Sequence, residues 1–183
     1  MAEYEKVLLD ADTPVLRAAL SVQNNFVLVT HKESGKTVRY DNQTSFWGHW
    51  KNKAGGKLKE YNDIRKSKGL DVWTPDDFEL EECSELNPDI EGHIEKATEQ
   101  FDYFVGRIKR YGFADDYVLG IGGEGNFRKD IAQILPYKGL RKDKPLLFQE
   151  VKEAIVQKYK SKVVISNNQE VDDWAGIEGF KNY

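Results

Sequence analysis

The sequence predicts an α/β fold in which helices cover both faces of a central, mostly parallel sheet, giving three layers. Three observations predict it. Short apolar runs at Lys6 to Asp10, Tyr117 to Ile121 and Val163 to Ser166 read as buried strands. Amphipathic helical stretches separate them, and strand–helix alternation favours parallel pairing. Residues 24–90 interrupt that alternation and read as an insertion, a β-hairpin plus a charged helical region, within one domain spanning residues 1–183.

Composition sets the outer limits. At 183 residues, 39% hydrophobic and 32% charged, the chain can bury a real core beneath a wet surface. No apolar run approaches the ~20 residues of a membrane span. The acidic start Met1-Ala2-Glu3-Tyr4-Glu5 has no signal-peptide core, so a cytoplasmic protein is expected. Cys83 is the single cysteine, which rules out an intrachain disulfide and a cysteine zinc site. His31, His49 and His93 lack ligand spacing.

In chain order, the first strand ends at Asp10. Pro14 suits the first turn of the next helix, with Thr13 or Asp12 as its cap and Val15, Leu16, Ala18, Ala19 and Leu20 as its apolar face. Asp10 is then left free for chemistry at a strand-to-helix junction, the usual place for an α/β site. Phe26 to His31 and Lys36 to Asp41 form a hairpin turning at Gly35.

From Thr44 to Gly69 the chain is basic and aromatic. Lys51 to Lys68 carries seven Lys/Arg against Glu60 and Asp63, near Trp47 and Trp50, with a break at Ala54-Gly55-Gly56. Two readings stand: contact with a nucleic-acid backbone, or a solvated helix whose tryptophans anchor it to a core. Asp76 to Asp102 is the reverse, eleven acids and one base, Lys96. It reads as a solvated face or loop, with nucleic-acid mimicry as the alternative. It leads into a long helix whose Ile94, Ala97, Phe101, Phe104, Val105, Ile108 and Tyr111 recur at core spacing, ending at Gly112.

The second strand runs into Gly122-Gly123-Glu124-Gly125. This is neither a P-loop nor a dinucleotide fingerprint. The glycines let backbone pass close to something at the sheet edge. Arg128 and Lys129 start a short helix to about Leu135. Leu147 to Tyr159 is amphipathic along Phe148, Val151, Ile155 and Tyr159. The third strand is followed by a turn at Asn167 to Gln169 and a helix opened by Asp172, Asp173, Trp174 and Ile177.

Charge is segregated near this last part. From Asn126 to Lys144 there are six Lys/Arg (Arg128, Lys129, Lys138, Arg141, Lys142, Lys144) against two acids, in a chain of net charge −4. Acids at strand ends, Asp10 and Asp12 on one side and Glu170, Asp172 and Asp173 on the other, can hold a divalent metal, and a basic segment can hold a phosphate. The plainer reading makes both acid sets helix N-terminal residues favoured by the helix dipole.

Val7-Leu8-Leu9-Asp10-Ala11-Asp12, Asn126-Phe127-Arg128, Tyr137-Lys138-Gly139-Leu140-Arg141-Lys142 and Glu170-Val171-Asp172-Asp173, in that order and spacing, resemble the 5′-nuclease superfamily. The likeness is to its flap-endonuclease-like 5′–3′ exonucleases, particularly those of phages, and covers most of the chain outside the insertion. It implies a PIN-like fold and hydrolysis of phosphodiesters at or near 5′ ends with Mg²⁺ or Mn²⁺. The implied partners are DNA ends and flaps, with RNA–DNA hybrids as a further substrate, in a phage-infected host cytoplasm and not at a membrane. By the same resemblance Asp10, Glu170, Asp172 and Asp173 are metal ligands, with Asp12 ranked below Asp10. Lys138 and Arg141 meet the scissile or adjacent phosphate, and Arg128 and Lys142 contact substrate phosphates.

Two departures accompany the resemblance. Gly122-Gly123 stand where the family commonly has an acid. The family also continues into a strand ending in a second acid pair and a helix-hairpin-helix element, neither of which occurs in these 183 residues. The expectation is therefore a 5′ nuclease or its N-terminal portion, either truncated or one half of a split enzyme whose missing acids a second polypeptide would supply. The alternative is a catalytically impaired homologue that binds nucleic-acid ends or regulates a nuclease.

Overall fold

The computed structural model describes residues 7–49, 55–112, 116–125 and 143–182. The chain divides into two compact units, Met1–Gln23 with Leu86–Tyr183, and Asn24–Glu85.

The first unit holds the parallel sheet. Its strands are β1 (Val7–Asp10), β5 (Tyr117–Gly122) and β6 (Val163–Ser166), in the order β1-β5-β6. Asp10 lies level with Gly120, and Ser166 lies level with Gly122. β5 therefore runs two residues past the end of β1, and the acid-bearing turns after β1 and β6 flank its tip.

Side-chain alternation along β5 decides which helices cover which face. Leu119 and Ile121 are buried with Ala11, Val15, Phe101, Val105, Val151 and Ile155. That face is covered by α1 (Asp12–Leu20), α4 (Ile90–Gly112) and α5 (Phe148–Lys158), which pack on one another. Gly120 points the other way, toward α6 (Val171–Asn182). A Cβ there would lie 2.6 Å from Val171 Cγ1 and 2.7 Å from Trp174 Cζ3. The glycine is thus a packing requirement, and helices cover both faces.

The second unit has its own aromatic core. β2 (Asn24–His31) pairs antiparallel with β3 (Thr37–Tyr40) and with β4 (Phe78–Glu85). α2 (Gln43–Trp47) and α3 (Lys57–Ser67) supply Phe46 and Leu58 to a cluster with Val27 and Val29. Trp73 sits 4.7 Å from the His31 ring and 5.6 Å from Phe78. The Asn62 amide accepts from its N–H and donates to its carbonyl, both at 2.8 Å.

Several expectations are corrected. The inserted hairpin is a three-stranded sheet, because β4 forms inside the acidic run: Phe78 and Leu80 face the cluster while Glu79 and Glu81 alternate outward. Leu16 and Leu20 are exposed, and Val15, Ala18 and Ala19 carry the buried face of α1. β6 borders the sheet with Val164 and Ile165 exposed. Tyr111 lies at the surface, not in the core. Trp47 packs against the second unit's cluster, as the anchoring reading requires, whereas Trp50 lies outside the described residues. Among the described residues no helix is long and apolar enough to cross a membrane.

Candidate functional site

The turns that carry the acids predicted from sequence flank the tip of β5. Asp10 ends β1, and its Oδ1 accepts the backbone N–H of Asp12 at 2.9 Å. This reverses the expected roles. Asp12 makes no side-chain cap to its own helix, while Asp10 engages the first-turn N–H. The Asp12 carboxylate reaches across the sheet instead and accepts the N–H of Gly122 at 2.8 Å.

Gly122 explains that reach. The carbonyl of Gly120 accepts from Ala11 N–H, so that edge of β5 faces β1. Two residues further on β1 has ended, and the polar groups of Gly122 need other partners. Asp12 takes the N–H, and Lys152 of α5 donates to the carbonyl at 2.6 Å. A Cβ at 122 would lie 2.8 Å from Asp12 Oδ2. Gly123 is similarly crowded by Asn167 Oδ1. The glycines do bring backbone close to other groups, and those groups are the polar side chains of the two strand-end turns.

The turn after β6 is held as tightly. Ser166 is buried, its hydroxyl lying 3.3 Å from the carbonyl of Gln169 and 3.4 Å from that of Glu170, and its own carbonyl accepts from Gly123 N–H. Asn168, with φ 59°, donates to the carbonyl of Glu124. Glu170 stands at the start of α6, its carbonyl accepting from Trp174 N–H. The Asp173 carboxylate accepts Glu170 N–H at 3.4 Å, one half of a capping box.

Electrostatics ties the two turns together. The carboxyl of Asp10 is pushed above the usual aspartate range, first by burial and then by the negative charges of Asp12, Asp172 and Glu170, against the lowering effect of the Asp12 N–H. Four of the five predicted acids thus share one field, while the Asp173 carboxylate is engaged at its helix start. Among the described residues no three acid, histidine or cysteine side chains converge closely enough, as they stand, to hold one ion. Arg128, Lys138, Arg141 and Lys142 lie outside the described residues.

Sequence reasoning missed Lys152. It is half-buried among the core-packed positions of its helix, between Phe148 and Val156, and its partner is a backbone carbonyl. Only the glycines at the tip of β5 signalled that other groups would approach there. Comparison of the chain with protein-family models, curated proteins and solved structures finds no match.

Proposed function

We propose that the chain is a PIN-like, divalent-metal-dependent 5′ nuclease that hydrolyses phosphodiesters near the 5′ ends of DNA. The observation that carries this reading is the crowding of Asp10 by Asp12, Asp172 and Glu170 from two separate strand ends. Carboxylates held near one another resist joint ionisation, and a cation relieves that repulsion. An all-oxygen donor set fits the hard cations Mg²⁺ and Mn²⁺. Asp10, Asp172 and Glu170 would hold the ion, with Asp12 contributing the oxygen not engaged by Gly122. Because no three side chains converge as they stand, binding draws them inward. When bound, the cation supplies Lewis-acid stabilisation of phosphate charge and an acidified water.

The protein's own groups do the rest. Gly122 N–H fixes the Asp12 carboxylate, and the Lys152 ammonium brings positive charge to the same peptide edge. A cation placed there favours a phosphate and the charge that develops during its hydrolysis. The basic stretch containing Lys138 and Arg141 supplies further phosphate contacts by sequence. Lys138→Ala and Arg141→Ala should each weaken binding to a 5′-phosphorylated end and lower the salt slope by about one.

The test is cleavage of 5′-flap and nicked duplex DNA with Mg²⁺ or Mn²⁺, by the wild-type chain and Asp10→Asn. It is run alone and with a second polypeptide carrying an Asp-x-Asp strand end. Metal-dependent release lost in Asp10→Asn supports the reading. The second reading, a nucleic-acid-end binding protein without catalysis, is favoured by the unconverged acids. End binding without cleavage in any mixture would establish it.

A further inference from the structure

We propose that the exposed face of α4 is a stacking track for single-stranded nucleic acid, formed by Tyr103, Arg107 and Tyr111 with Arg110 beside them. The helix buries Ala97, Phe101 and Val105 in the core. Tyr103 and Tyr111 lie on a different face, 60% and 67% exposed. Positions 103, 107 and 111 are spaced by four residues, so their side chains form one ladder. The Arg107 guanidinium lies 5.8 Å from the Tyr103 ring centre and 5.9 Å from that of Tyr111. Along the axis the two tyrosines are separated by about 12 Å, at 1.5 Å per residue.

The chemistry selects the occupant. Two wet aromatic faces offer stacking to any base without regard to sequence, and an arginine between them offers both charge and a planar partner. Between Tyr103 and Tyr111 the helix carries the cations Arg107, Lys109 and Arg110 and no acid, while Glu99, Glu95 and Glu91 continue the ladder toward its N-terminus, in a chain whose net charge is −4. A polyanion with flat rings complements that surface; an apolar helix does not. A Cβ added at Gly106, one residue from Arg107, would meet nothing within 4 Å among the described residues. The inference extends the nuclease reading by naming where the strand is held. It requires no cation at Asp10, so the two fail separately.

The test is fluorescence anisotropy in EDTA with labelled dT15 and a 15-mer of the same charge made of abasic sites. Tyr103→Ala and Tyr111→Ala should each weaken dT15 binding about 5- to 100-fold and leave abasic binding unchanged. Tyr103→Phe should bind dT15 like wild type. Arg107→Ala should weaken both ligands and lower the salt slope by about one. The proposal is overturned if both alanine variants, with wild-type melting temperatures, bind dT15 within twofold of wild type. It is equally overturned if the wild-type protein binds the abasic strand as tightly as dT15. Cleavage is measured separately with metal present, so loss of catalysis with intact dT15 binding counts against the nuclease reading alone.

Discussion

Gly122 and Asp12 stand 110 residues apart in sequence, yet the N–H of one donates to the carboxylate of the other at 2.8 Å. That bond occupies the place where β1 would have continued beside β5. It locks the turn after β1 to the tip of β5 and sets the Asp12 carboxylate near Asp10.

Gly122→Ala should therefore destabilise the protein. The added Cβ would lie 2.8 Å from Asp12 Oδ2 and force the carboxylate away. A loss of about 1–3 kcal/mol is expected, read by urea unfolding. Gly106→Ala is the control: its Cβ meets nothing within 4 Å among the described residues, and within a helix it should stabilise by about 1 kcal/mol. Equal effects of the two substitutions would remove the steric argument.

Asp10→Asn should stabilise the metal-free protein at neutral pH. The folded-state pKa of Asp10 is raised, so the fold favours the protonated form. The resulting stability is fully present below the ordinary aspartate pKa and is lost as pH rises through the folded value. The substitution removes that loss while keeping an acceptor for Asp12 N–H. In EDTA the variant should match wild type at pH 3 and exceed it at pH 7, as measured by urea melts. A variant less stable than wild type at pH 7 would show that the crowding is not costly.

Much of this site was legible in the sequence. An apolar run ending in an acid marks a parallel strand, which is why β1 and Asp10 could be placed, although β1 borders the sheet and its Val7, Leu8 and Leu9 are only half-buried. The glycines after Ile121 announced close approach. What approaches them was not legible, because Asp12 and Lys152 lie 110 and 30 residues away and meet backbone groups. β4 was hidden for a different reason. Its Phe78 and Leu80 alternate as a strand should, but Glu79, Glu81, Glu82 and Glu85 place it in a run that reads as solvated. Tyr111 followed the core spacing of α4 but falls at the helix end, where the periodicity no longer faces the sheet-side cluster.

Lys152→Met should separate catalysis from metal binding. The ammonium bonds to the Gly122 carbonyl and is not an oxygen donor to a cation. Cleavage should fall about a hundredfold, the usual scale for removing one group that stabilises transition-state charge. The metal-induced rise in melting temperature should remain. Unchanged cleavage would leave Lys152 with only the role of satisfying the strand tip.

The carboxylates gathered near Asp10 should bind a divalent cation, and the most direct measurement is a thermal melt in EDTA and in Mn²⁺. Binding to the folded state alone raises the melting temperature, by about 2.7 kcal/mol of stability at a hundred times the dissociation constant. The predicted result is a Mn²⁺-dependent rise that Asp10→Asn abolishes. No rise in the wild-type protein, or an equal rise in Asp10→Asn, would contradict it.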